Sequence, residues 1–111
     1  MIKNGMDLYL KNWNGKGKEY DYYGNLEFEG EYLNGERNGK VKKYYENGKI
    51  KFKGEYVNGK KNGKGKEYDY YGKMYFEGEY VNGKKNGNGK EYDYFGHLIH
   101  EGKYLNGERI S

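Results

Sequence analysis

Apolar and polar positions alternate with a period of two along most of this chain. In Leu26-Glu27-Phe28-Glu29-Gly30-Glu31-Tyr32 the apolar and glycine positions share one side and three glutamates the other, and Met74 to Tyr80 repeats the alternation. Successive side chains of a strand point to opposite faces, so the pattern predicts half-buried β-strands. Each such run meets an Asn-Gly pair, as at Asn34-Gly35, followed by a short polar turn and a second strand carrying Tyr20, Tyr44, Tyr68 or Tyr92. A second tight turn, Asn47-Gly48 or the Tyr-Gly of the other copies, leads into the next run. Asn-Gly favours a tight hairpin because both central residues must accept a positive φ. The unit is therefore a β-hairpin.

The unit recurs every 24 residues. Full copies occupy residues 28–51, 52–75 and 76–99, a truncated copy 100–111, and a degenerate first copy 1–27, so that the chain reads as one repeat domain over 1–111. Nineteen of the 20 glycines fall into five columns of this register, which excludes chance. Hairpins joined by tight turns can form only an antiparallel meander, because parallel neighbours need long crossovers. The expected fold is all-β: an elongated single-layer antiparallel meander of 24-residue hairpins, twisted, roughly 40 Å long at ~4.8 Å per strand.

A single layer has nothing opposite to bury its apolar face. The expected solution is a curled sheet whose Phe and Tyr columns stack along an aromatic-lined groove on the concave face, with Gly30, Gly54 and Gly78 leaving room for the rings. Phe28, Phe52 and Phe76 with Tyr32, Tyr56, Tyr80 and Tyr104 form the expected spine, flanked by Tyr20, Tyr44, Tyr68 and Tyr92. Leu26, Ile50, Met74 and Leu98 reinforce one edge.

Composition sharpens this picture. The 111 residues include 20 Gly and 16 Tyr but no Pro, Cys, Ala, Thr or Gln, which argues against a helical bundle and removes any disulfide framework or cysteine-based zinc site. Residues 1–10, MIKNGMDLYL, lack the apolar run of a signal peptide, and no stretch approaches a membrane span, so a soluble, cytoplasmic protein is expected.

The segment Phe76-Glu-Gly-Glu-Tyr-Val-Asn-Gly-Lys-Lys-Asn-Gly-Asn-Gly-Lys-Glu-Tyr resembles a MORN repeat, whose pattern is an aromatic, x-G-x-aromatic-x-x-G, G-x-G and a final aromatic. The resemblance runs from about residue 15 to 109. Its departures are a period of 24 rather than 23, Phe in place of the leading Tyr, and Val41 in place of a glycine. Lys43-Tyr-Tyr-Glu-Asn-Gly-Lys-Ile-Lys is similar instead to the variant MORN repeat of bacterial antitoxin-like proteins. The resemblance implies a hairpin array used for protein contact, scaffolding or dimerisation, with phospholipid headgroups bound by some members, and no enzymatic activity.

The chemistry points the same way. Ser111 is the only hydroxyl outside tyrosine, so nucleophilic catalysis lacks its usual residues. His97 and His100, three apart on a strand, point to opposite faces and do not converge on a metal. Gly63-Lys-Gly-Lys lacks the hydroxyl and helix of a phosphate loop. No enzyme activity, cofactor or metal is expected.

Net charge is +4 and concentrated at the centre: residues 28–51 sum to +2 and 52–75 to +3, while 76–99 sum to −1. Lys40, Lys42, Lys43, Lys60, Lys61, Lys64 and Lys66 are therefore the candidate basic patch for a polyanion, either anionic phospholipid or nucleic acid. The leading expectation is a protein-interaction module whose partner is a toxin-like effector that it neutralises or a second copy of itself. Tyr32, Tyr44, Tyr56, Tyr68, Tyr80 and Tyr92 are the candidate contact residues, and the strand around Gly102–Leu105 is a candidate open edge for dimerisation.

Overall fold

The computed structural model describes residues 2–4 and 13–111, so most of the segment read for a leader, and part of the degenerate first copy, lie outside the described residues. Nine strands form an antiparallel meander in chain order: β2 (Gly15–Tyr20), β3 (Leu26–Leu33), β4 (Glu36–Tyr44), β5 (Ile50–Val57), β6 (Lys60–Tyr68), β7 (Met74–Val81), β8 (Lys84–Tyr92), β9 (Leu98–Leu105) and β10 (Glu108–Arg109). A short strand β1 (Ile2–Asn4) joins the outer edge of β2 in parallel, a pairing the meander expectation did not contain. The body measures 44 × 27 × 17 Å, a rod of the expected length.

The Asn-Gly turns behave as their sequence requires. Asn34, Asn58, Asn82 and Asn106 all sit at φ near +51°, followed by glycines at φ between 79° and 91°. Each of these glycines also binds the preceding hairpin: Gly59 N–H donates to the Arg37 carbonyl at 2.9 Å and Gly83 N–H to that of Lys61 at 2.8 Å. Neighbouring hairpins are thus tied at the turn as well as along their ladders.

The expected spine is the core. Phe28, Phe52 and Phe76 are fully buried, and Tyr32, Tyr56, Tyr80 and Tyr104 nearly so. Their rings form one unbroken edge-to-face ladder, Tyr32, Phe28, Tyr56, Phe52, Tyr80, Phe76, Tyr104, with centroids 5.5 to 5.9 Å apart. The glycine columns let the rings lie down on the sheet: a Cβ at Gly65 would fall 2.6 Å from two ring carbons of Phe52, and one at Gly54 2.8 Å from its Cζ.

Long cations supply the missing second layer. Arg37 covers Phe28 at 4.0 Å, Lys61 covers Phe52 at 4.4 Å and Lys85 covers Phe76 at 4.0 Å, each nine residues after its ring. The same cations lie 5.4 to 6.0 Å from the next tyrosine in the ladder. Each aliphatic stem shields apolar surface while its charge meets a ring face, an attraction of ~0.5–2 kcal/mol depending on desolvation.

This arrangement corrects the expected groove. The concave face is the opposite one, because the aromatic face is closed by its own rings and cations. Each hairpin carries a bulge at which Gly30 to Tyr32, and the equivalent pairs of β5 and β7, advance two positions against four on the partner strand. Bulges bend a strand and increase its twist. The carboxylates of Glu31, Glu55 and Glu79 hold these bulges by accepting the backbone N–H of Lys40, Lys64 and Asn88 at 2.6, 2.9 and 2.7 Å.

Candidate binding surfaces

The groove is a continuous trough of about 1670 Å³ running past β2 to β9, floored by glycine backbone and walled by lysines and glutamates. One row across it reads Lys18, Glu29, Lys42, Lys53, Lys66, Glu77, Lys90, Glu101, each directly opposite the next. Opposite charges alternate except at the middle, where three lysines follow one another. Tyr44 and Tyr92 stand at the side of this row and donate their hydroxyls to Glu29 and Glu77. Burial and the Glu29 bond push the Tyr44 hydroxyl up to about 12; the Glu77 bond, more than burial, does the same for Tyr92.

The aromatic face carries a second charge row between its rings: Glu19, Lys43, Glu67 and Glu91 alternate with Phe28, Phe52 and Phe76. Glu19 is paired with Arg37 at 2.8 Å and Glu91 with Arg109 at 2.8 Å, while Glu67 takes both Lys61 at 3.3 Å and Lys85 at 3.7 Å. The Tyr32 and Tyr104 hydroxyls donate to Glu19 and Glu91. The Arg109 guanidinium, aided by Tyr104, pulls the Glu91 carboxyl down to about 2 against the cost of desolvation. In the second copy Lys43 replaces the glutamate, and burial, with Arg37 and Lys61 nearby, lowers its ammonium pKa.

A third surface was not expected. The turns Asp21-Tyr22-Tyr23-Gly24, Asp69-Tyr70-Tyr71-Gly72 and Asp93-Tyr94-Phe95-Gly96 project from one long edge of the rod. Each Asp carboxylate accepts two backbone N–H groups of its own turn; Asp21 takes those of Tyr23 and Asn25, both at 2.9 Å. Asp69 and Asp93 repeat the arrangement at 2.9 to 3.0 Å. These bonds fix the turn and leave most of its aromatics outward: Tyr22 is 94% exposed, Tyr23 85%, Tyr71 70% and Phe95 80%, whereas Tyr70 leans on Tyr45, ring centroids 5.3 Å apart, and donates its hydroxyl to Glu46 at 3.3 Å. In the second copy, by contrast, Tyr45 folds inward and donates its hydroxyl to the Tyr68 carbonyl at 2.7 Å. The signal was in the sequence: consecutive aromatics inside an Asp-x-x-Gly turn cannot both reach the core face.

The candidate residues separate accordingly. Tyr32, Tyr56 and Tyr80 are buried in the core and offer a partner no surface, and Tyr44, Tyr68 and Tyr92 are half-buried. The basic patch is divided between faces: Lys40, Lys42, Lys64 and Lys66 line the groove, Lys43 and Lys61 lie on the aromatic face, and Lys60 is exposed at the start of β6. The edge around Gly102–Leu105 is largely taken by the chain itself. Glu108 and Arg109 pair with Leu105 and Tyr104, Ile110 N–H donates to the Lys103 carbonyl at 2.8 Å, and Lys103 N–H donates to Ser111 Oγ at 2.9 Å. His97 faces Asp93 at 3.3 Å in a turn, whereas His100 packs edge-on against Tyr104 at the end of the aromatic ladder.

A one-layer hairpin array with a charged trough on one face defines a repeat scaffold. The chain belongs to the MORN-repeat family, whose model matches residues 28–50, 52–70 and 76–94. MORN repeats are in general non-catalytic modules that bind proteins or membrane lipids. No curated protein matches the chain.

Proposed function

We propose that this chain is a protein-interaction module that docks a partner along its aromatic turn edge. The observation that carries this reading is the row of outward aromatic pairs on turns held rigid by their own aspartates. Tyrosine suits such contacts: its ring contributes large area at little entropic cost, and exposed, pre-ordered aromatics are typical anchors of interfaces. Copies in the array are spaced by two strands, ~10 Å, so the three pairs, with the turn at 45–48 between the first and second, span ~30 Å, the size a protein partner needs. The resemblance of residues 43–51 to the variant repeat of antitoxin-like proteins favours a protein effector, neutralised by this contact, as that partner. A polyanion reading gains less support, since most groove lysines stand opposite a glutamate.

The test is a quantitative pull-down from cognate lysate with the wild-type chain and a variant carrying Tyr22→Ser, Tyr23→Ser, Tyr70→Ser, Tyr71→Ser, Tyr94→Ser and Phe95→Ser. A partner held by the wild type and lost from the variant, with unchanged circular dichroism, is the expected result. Identical capture by both proteins would remove the turn edge from the interaction.

A further inference from the structure

The charge row of the groove is broken at one place. From Lys18 to Glu101 every neighbouring pair is Lys against Glu, except Lys42 against Lys53 and Lys53 against Lys66. The other full-length strands of this column, β3, β7 and β9, place Glu29, Glu77 and Glu101 where β5 has Lys53. Like charges directly opposite on paired strands repel and destabilise the sheet. The reversal also affects tyrosine. Tyr44 and Tyr92 give their hydroxyls to the glutamate fifteen residues earlier. For Tyr68 the residue at that position is Lys53.

We propose that the middle of the groove receives carboxylates from a polypeptide segment whose acidic centre is flanked on both sides by basic residues. The centre would meet Lys42, Lys53 and Lys66, which lie within ~10 Å of one another across three strands, with the Tyr68 hydroxyl available to a carboxylate as Tyr44 is to Glu29. The flanks decide the class of ligand. On either side of the lysines stand Glu29 and Glu77, each between two lysines and each holding a tyrosine hydroxyl; they repel an anion that outruns the central patch and favour a cation beside it. A polypeptide can carry both signs in that order. Nucleic acid and phospholipid headgroups present phosphates without the matching cations, and a phosphate chain longer than the central patch runs over the flanking glutamates. The inference rests on the protein-binding reading but uses a different surface from the turn edge.

Fluorescence anisotropy tests it with a labelled synthetic peptide of three Glu flanked on each side by Lys-Gly-Lys, a scrambled peptide of the same composition, oligothymidine, and vesicles containing phosphatidylserine. The expected result is binding of the first peptide at least about tenfold tighter than the scramble, weakened by salt, and reduced about tenfold by Lys53→Glu. Because Lys53→Glu restores the residue of the other copies, it should leave the melting temperature unchanged or raised, which separates lost binding from lost folding. Equal binding of peptide and scramble, insensitivity to Lys53→Glu, or a Lys53-dependent preference for oligothymidine or vesicles over the peptide would overturn the proposal. Should it fall while the turn-edge variant still loses its partner, the docking reading stands without it.

Discussion

The two faces of this sheet are made from the same strands and solve opposite problems. On the aromatic face the side chains lie flat, the rings contact one another edge to face, and Arg37, Lys61 and Lys85 close over them. On the groove face the side chains stand in water and alternate in sign. Lysine illustrates the difference. Lys61 is half-buried and functions as a roof, whereas Lys66, five residues along the same strand, is an exposed wall of the trough. A sheet too thin for a second layer of helices or strands can thus be closed by amphipathic side chains rooted in its own surface.

The largest way to break this asymmetry is Phe52→Ala. Phe52 is fully buried between Tyr56, Tyr80 and Lys61, so its loss should cost about 3–5 kcal/mol by urea denaturation. A loss below ~1 kcal/mol would mean that the ladder does not hold the array together. Gly65→Ala puts a methyl against the same ring and should cost about 1–3 kcal/mol, whereas Lys66→Ala on the groove face should stay within ~0.5 kcal/mol. Equal effects from those two would contradict the assignment of faces.

Lys61→Met keeps the aliphatic stem and removes the charge, so the difference from wild type isolates the cation on Phe52 and Tyr80 together with the Glu67 ion pair; about 0.5–2 kcal/mol is expected, read from thermal melts. Acid should also weaken the end of the same face. The Glu91 carboxyl is held at about 2, below its ordinary 4.5, so its contribution is complete above pH 4.5 and disappears as the pH falls through 2. Hydrogen exchange from pH 5 to 2 should show β8 to β10 losing protection, and Arg109→Met should shift that loss to higher pH. A small effect of the opposite sign is expected from Lys53→Glu, which replaces two repulsive pairs by attractive ones and should stabilise by about 0.2–1 kcal/mol. Destabilisation by that change would show that the groove row is not governed by charge alternation.

Much of the fold was legible because glycine and aromatic residues recur in fixed columns. The spine from Phe28 to Tyr104, the Asn-Gly turns and the meander all follow from that register. The binding surfaces were less legible. Strand parity sends Lys40 to the groove and Lys43 and Lys61 to the rings, so the lysines that are near in sequence do not form one patch. The spine tyrosines offer a partner no contact, because a ring packed against glycine is covered by the next cation along. Tyr22, Tyr71 and Phe95 lie in turns, where the period-two rule says nothing about which way a side chain faces.

The sequence by itself determined that there are two unlike faces, which residues share each, and where the chain turns, because strand alternation and positive-φ glycines are local properties. Only the tertiary structure decided which face is concave, what covers the rings, and that the three central lysines stand side by side. Those outcomes depend on cross-strand register and on the bend that each bulge adds, and neither exists until neighbouring hairpins have paired.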